Sequence, residues 1–234
     1  MTGMRGASQA RMLVRPLLRS WYRLVALGAD HVPAQGPVIV ASNHVGILDG
    51  PLLLAATPRP VRIMAGQEAF APPLDGIMTK AGLIGMRPGV APYAALSQAT
   101  DTLAADGGVA LFPEGRRGNG RVASISHIVA LLALRTGAPV VPAAIVGTRR
   151  DGMDADALPR RRSRVAVMFG EPFSVRTDSD NLRRTVITGA GEAIRQRLAD
   201  VAADVELATA IRLPDYAPAD PRSSRERDNE EARR

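Results

Sequence analysis

The chain has 234 residues, 46% hydrophobic, 23% charged and 3% aromatic, with a formal net charge of +7; Lys80 is the only lysine among its 30 basic residues. That length and apolar share are enough to bury one core, while the absence of cysteine excludes disulfides, thiolate metal sites and a thiol nucleophile. The arginine excess favours phosphate or carboxylate partners, and the scarcity of aromatics, none interleaved with basic stretches, argues against nucleic acid.

In chain order, residues 1–8 are expected to be loose and residues 9–27 to form a basic amphipathic helix. Arg11, Arg15, Arg19 and Arg23 recur every four residues and make one charged stripe, with Leu13, Leu17, Trp21, Leu24 and Val25 supplying apolar surface. Pro16 is a point at which this helix would kink or divide in two. Two placements are open for it. It docks on the core with a solvated arginine face, or it lies in a membrane interface with its arginines near lipid phosphates. No run of about 18 apolar residues is present, so no transmembrane helix is expected. Arginines also puncture residues 1–30, which argues against a secretory signal.

Strands and helices then alternate. Residues 37–41 read as a buried strand, followed by a helix start at Asp49-Gly50-Pro51, with Asp49 near the cap and Pro51 in the first turn. Further strands are expected over residues 61–65, 83–86, 108–112, 140–146 and 164–169. Helices are expected over residues 74–81, 93–105, 125–136 and 181–201. Residues 149–164 read as a charged surface loop, and the chain from Pro214 onward has almost nothing to bury and reads as a disordered tail. This alternation predicts one α/β domain over residues 29–213. Its sheet is largely parallel but mixed and is flanked by helices, with the amphipathic helix of residues 1–28 before it and the tail of residues 214–234 after it.

Two stretches carry chemistry. Asn43-His44-Val45-Gly46-Ile47-Leu48-Asp49 sets a histidine five residues before an aspartate, directly after an apolar run. On an ideal helix that offset is about 140°, so the pair would not share a face and the segment must turn; Gly46 makes a turn cheap. An imidazole whose other nitrogen faces a carboxylate can take a proton from a hydroxyl. Phe112-Pro113-Glu114-Gly115-Arg116-Arg117 follows the strand of residues 108–112. Glu114 and Gly115 therefore belong at the strand's carboxyl end, where open α/β sheets bind ligands. Arginines beside a glycine turn suit a phosphate. A base for a hydroxyl and a grip for a phosphate point to a phosphorylated alcohol. Neither His31 nor His127 has ligand-like spacing to His44, so no metal site is expected. His127 lies among apolar residues and reads as a core or rim histidine.

These residues resemble the glycerolipid acyltransferase family, which carries an Asn-His-x4-Asp block and a Phe-Pro-Glu-Gly block in this order. Gly85-Met86-Arg87 is similar to the family's arginine block, and Val141-Pro142-Ala143-Ala144-Ile145-Val146-Gly147 to its Val-Pro block. The chain departs from the pattern at Gly46, where Ser is frequent, and at Arg116, where Thr is usual. It departs again at Ala123-Ser124-Ile125-Ser126, which lacks a basic residue followed by Gly. The resemblance implies His44 as base and Asp49 as its partner. It implies Arg87 and Arg117 as phosphate ligands, with Glu114 orienting an arginine or a glycerol hydroxyl and Gly115 admitting the ligand. It further implies acyl-CoA or acyl-carrier protein as donor, no other cofactor, and a lysophospholipid acceptor, most readily 1-acylglycerol 3-phosphate. Other acceptors remain open, such as glycerol 3-phosphate, another lysolipid or a glycolipid, as does a non-catalytic phospholipid-binding protein. The implied location is peripheral, on the cytoplasmic side of an anionic membrane.

Overall fold

The computed structural model of the chain describes residues 2–66, 75–86, 92–154, 156–175 and 183–216. Its elements are α1 (Thr2–Trp21), β1 (Arg23–Leu27), β2 (Val38–Ser42), α2 (Asp49–Ala56), β3 (Arg62–Gly66), α3 (Asp75–Lys80) and β4 (Ile84–Met86). They continue with α4 (Pro92–Ala104), β5 (Gly108–Leu111), α5 (Ile128–Thr136), β6 (Val140–Val146), β7 (Arg164–Phe169) and α6 (Arg184–Thr209). Seven strands form one sheet in the order β1-β7-β6-β2-β5-β3-β4. Every pairing is parallel except β6 with β7, so the sheet is the mixed, largely parallel one that the strand–helix alternation predicts.

The central strands are almost wholly apolar because helices cover both faces. On β2, Val38 and Val40 join α1 and α2 in one core cluster, whereas Ile39 and Ala41 join α4, α5 and α6 in another. This period-two split is set by the pleat, and every β2 residue is fully buried. Leu52 and Leu53 of α2 are likewise fully buried. Truncating either to Ala would cost about 2–5 kcal/mol and would loosen the helix that carries Asp49.

The N-terminal region differs from its sequence reading in two ways. Helix α1 starts at Thr2 and ends at Trp21, so residues 2–8 are helical. Residues 23–27 form edge strand β1, which pairs in parallel with β7, Arg23 opposite Arg164 and Leu27 opposite Met168. Leu24 and Ala26 pack on the core and Val25 is exposed. Five residues satisfy a helical period and an alternating one equally well, and the partner strand, far along the chain, decides. The arginine stripe also divides. Arg11 turns inward, where its Nε donates to the Thr57 carbonyl at 2.9 Å and its Nη2 to the Pro58 carbonyl at 2.9 Å, capping the end of α2. Ala7 and Leu18 are buried, while Leu13, Leu17 and Trp21 are 70%, 53% and 48% exposed.

Helix α6 runs past the expected end at residue 201, because Val201, Ala202 and Val205 continue its buried stripe. Beyond it, Leu213 is buried among Val45, Ala144 and Val146, and Pro214 is buried too.

Candidate active site

Strands β2, β5 and β6 run in parallel, so their carboxyl ends open on one edge of the sheet. His44 leaves β2 there and Glu114 follows β5. Asn43, fully buried between them, fixes the exit. Its Oδ1 accepts the Ile145 N–H at 2.7 Å, and its Nδ2 donates to the carbonyls of Ile145 and Gly120, each at 3.2 Å. One amide thus joins β2 to β6 and to the loop after β5.

The chain then turns, as the 140° argument requires. The Asp49 N–H closes the turn on the Gly46 carbonyl at 3.2 Å. Gly46 has no left-handed backbone, and a Cβ there would fit tightly, 3.2–3.3 Å from Thr148. Asp49, in the first turn of α2 and fully buried, receives three donors on one oxygen. Its Oδ2 accepts from His44 Nδ1 at 2.8 Å, from the Val45 N–H at 2.6 Å and from the Gly46 N–H at 2.9 Å. The positive end of the α2 dipole adds to these contacts. With Nδ1 engaged, the neutral imidazole presents Nε2 as an acceptor. The His44 side chain is 20% exposed, and its ring stacks on Phe112 with centroids 4.3 Å apart and planes 21° from parallel. The imidazole is therefore held at one nitrogen and on one face.

The two sequence motifs meet at the His44 backbone. Its N–H donates to Glu114 Oε1 at 2.9 Å, and its carbonyl accepts the Gly118 N–H at 2.7 Å. Glu114 thus holds the histidine main chain, not an arginine among the described residues. Burial pushes its carboxyl up to about 7; the bond from His44 and the nearby charges of His44 and Arg116 oppose that shift, and Asp49 adds to it. Gly115 has φ 71° and open space where a Cβ would stand. Its N–H closes a tight turn on the Phe112 carbonyl at 3.0 Å, a conformation that favours glycine.

Arg117 Nη2 pairs with Asp156 Oδ1 at 2.8 Å, on the loop between β6 and β7; the side chains are 26% and 68% exposed. Arg87 lies outside the described residues. His31 Nδ1 lies 2.9 Å from the Phe169 carbonyl, and His127 is exposed just before α5. Among the described residues, no three His, Asp or Glu side chains converge as metal ligands.

Three contributors were not assigned roles in the sequence: Asn43, Phe112 and Arg149. The first two stand inside the quoted motifs. Arg149, only 3% exposed, is one arginine among many there. Its Nε donates to the Val45 carbonyl at 2.9 Å, and its Nη2 donates to the carbonyls of Gly118 at 2.8 Å and Tyr216 at 3.0 Å. It straps the loop after His44, the loop after Glu114 and the segment after α6 into one body. Burial lowers its pKa, and the charges of Asp151 and Asp49 oppose that shift.

A buried carboxylate that fixes an imidazole at the carboxyl edge of a parallel sheet is an arrangement able to take a proton from a hydroxyl. The acyltransferase family model matches residues 23–146, more than half of the chain and all of the strands and loops just described up to β6. The chain belongs to the acyltransferase family. Among its relatives, the uncharacterized protein Rv0502 of Mycobacterium tuberculosis is 32% identical over 157 residues, an alignment covering 58% of this chain and 42% of that protein. The uncharacterized protein ML2427 of Mycobacterium leprae is 31% identical over 157 residues, covering 58% of this chain and 41% of that protein. The chain thus spans about two fifths of the length of these relatives. The crystal structure of the 1-acyl-sn-glycerophosphate (LPA) acyltransferase PlsC from Thermotoga maritima shares the fold. Its TM-score is 0.58 at 20% identity, with 84% of this chain and 80% of that chain covered.

Proposed function

We propose that this chain transfers a fatty acyl group from a thioester, acyl-CoA or acyl-carrier protein, to the free hydroxyl of a lysophospholipid, with 1-acylglycerol 3-phosphate as the foremost acceptor. The observation that carries the reading is the His44–Asp49 pair, held at 2.8 Å with the imidazole stacked on Phe112. His44 Nε2 takes the proton of the acceptor hydroxyl as its oxygen attacks the thioester carbonyl. The tetrahedral intermediate collapses with cleavage of the carbon–sulfur bond, and the leaving thiolate takes the proton back from the imidazolium. Asp49 holds the tautomer and stabilises that imidazolium. No acyl-enzyme forms.

Arg117, with Arg87, binds the acceptor phosphate. The Arg117 partner in the free protein, Asp156, is mostly exposed; such a pair contributes at most about 1 kcal/mol and exchanges readily for a phosphate. The acceptor is delivered at a membrane surface on which α1 rests through Leu13, Leu17 and Trp21. The exposure of this apolar strip supports that placement, and no described helix is long and apolar enough to cross a membrane.

The test is to incubate purified protein with a panel of lysolipids and labelled acyl-CoA, and to separate the products. 1-Acylglycerol 3-phosphate should be acylated, and His44→Ala should lose at least about 10²-fold in turnover. If His44→Ala keeps more than a tenth of wild-type turnover, the base is elsewhere. If no lysolipid is acylated, the proposed activity is wrong.

A further inference from the structure

A cavity opens on the same sheet edge as His44. Because β7 runs antiparallel to β6, its first residues return to the edge where β6 ends, Val146 opposite Ala166. There Arg150, Asp151, Arg162, Ser163, Arg164 and the segment after α6, including Arg212 and Leu213, enclose about 460 Å³. That is the size of a small-molecule site and more than a lone phosphate needs. In the sheet order β7 lies two strands from β2, which sets the cavity about 10 Å sideways from the exit of His44. Its wall is continuous with the catalytic loop. Leu213 packs with Val45, the residue after His44, and Arg149, next to Arg150, grips the Val45 carbonyl.

The lining is strongly cationic, four arginines against one carboxylate. Asp151 Oδ1 already accepts the Asp215 N–H at 2.8 Å, and Arg164 Nη2 donates to the Thr209 carbonyl at 3.0 Å, capping α6. The guanidinium groups of Arg150, Arg162 and Arg212 have no hydrogen bond or ion pair with a described residue. Three uncommitted forks around one cavity suit a multiply charged phosphate ester.

Distance decides which substrate supplies it. In a 1-acylglycerol 3-phosphate the reacting hydroxyl and the phosphate ester stand on adjacent carbons. With bonds of about 1.5 Å, the phosphorus lies no more than about 5 Å from the reacting oxygen, so the phosphate binds close beside the base. A cavity set to one side of the base is a poorer match to so short a molecule than a phosphate grip next to the imidazole. In a CoA thioester the phosphates are separated from the reacting carbonyl by the long pantetheine arm, so an anion site set to one side of the base is what that donor needs. We infer that this cavity binds the nucleotide phosphates of an acyl-CoA donor while the thioester lies at His44. This rests on the reading that the protein is an acyltransferase that accepts a CoA thioester.

The experiment uses the full chain and an Arg150→Gln/Arg212→Gln variant, both positions being exposed and outside the hydrogen-bond network of the site. Calorimetric titration with adenosine 3′,5′-bisphosphate, glycerol 3-phosphate and inorganic phosphate reads binding without turnover. Wild type should bind the nucleotide more tightly than the other two, and the variant should lose at least about tenfold in nucleotide affinity with an unchanged melting temperature. In steady state the variant's KM for palmitoyl-CoA should rise by a similar factor, with its KM for the lysolipid and its kcat retained. Absent nucleotide binding by wild type, equal nucleotide affinity in the two proteins, or tighter binding of glycerol 3-phosphate would each overturn the assignment. Nucleotide binding lost in the variant without any acyl transfer by wild type would retain the cavity and refute the acyltransferase reading. Transfer from palmitoyl-CoA with the same KM in both proteins would do the reverse.

Discussion

Replacing Glu114 with Gln should make the protein's stability less sensitive to pH in one defined window. Glu114 is largely buried, and its Oε1 accepts the His44 N–H. Burial raises its carboxyl from 4.5 to about 7, so the folded state favours the neutral acid. The unfolded chain releases this proton near pH 4.5 and the folded chain near pH 7. The side chain's contribution is therefore complete below about pH 4.5 and is lost as pH rises toward 7. The rise corresponds to on the order of 3 kcal/mol. Gln can still accept the His44 N–H but cannot ionise. The stability of Glu114→Gln relative to wild type should thus increase by that amount between pH 4.5 and 7 and stay level above it. At about 2–4 °C per kcal/mol for a chain of this size, the difference in melting temperature should change by on the order of 10 °C. Thermal melts of both proteins at closely spaced pH values measure it, and taking the difference cancels the titrating groups that do not interact with Glu114. A difference that stays constant across the window, or changes only below pH 5, would mean that Glu114 titrates as an ordinary surface carboxyl.

Two further predictions concern the substrate. Arg117→Ala should raise KM for a phosphorylated acceptor by roughly ten- to a hundredfold and leave an unphosphorylated one unaffected, whereas Asp156→Asn, which frees the guanidinium, should hold KM level or lower it; equal losses on both acceptors would exclude the phosphate role. Changing Leu13, Leu17 and Trp21 together to Ser should cut co-sedimentation with anionic vesicles at least about tenfold with only a modest loss of melting temperature, because each is about half exposed or more. Arg11→Gln should instead lower the melting temperature, since it removes two bonds to the end of α2. Unchanged vesicle partitioning of the triple variant would reduce α1 to a packing element.

The order of strands and helices and the pairing of His44 with Asp49 were readable along the chain. Apolar runs of four to seven residues between helices specify buried strands, and a histidine and a carboxylate just past two of those runs must come out at the carboxyl edge of a parallel sheet. His44 with Asp49 was legible because the pair is local, closed within one turn and the start of one helix. What only the tertiary structure decided depends on strand order. Residues 23–27 became β1 because β7 offers them a partner. Glu114 holds the His44 main chain, and Asn43 reaches Ile145 and Gly120, because β2 lies between β5 and β6. Arg149 was one charge among thirty basic residues until the fold set three carbonyls around it. Local spacing encodes which side chains can meet within a turn. Contacts between distant segments follow from the order in which strands pair, which no stretch of the sequence carries alone.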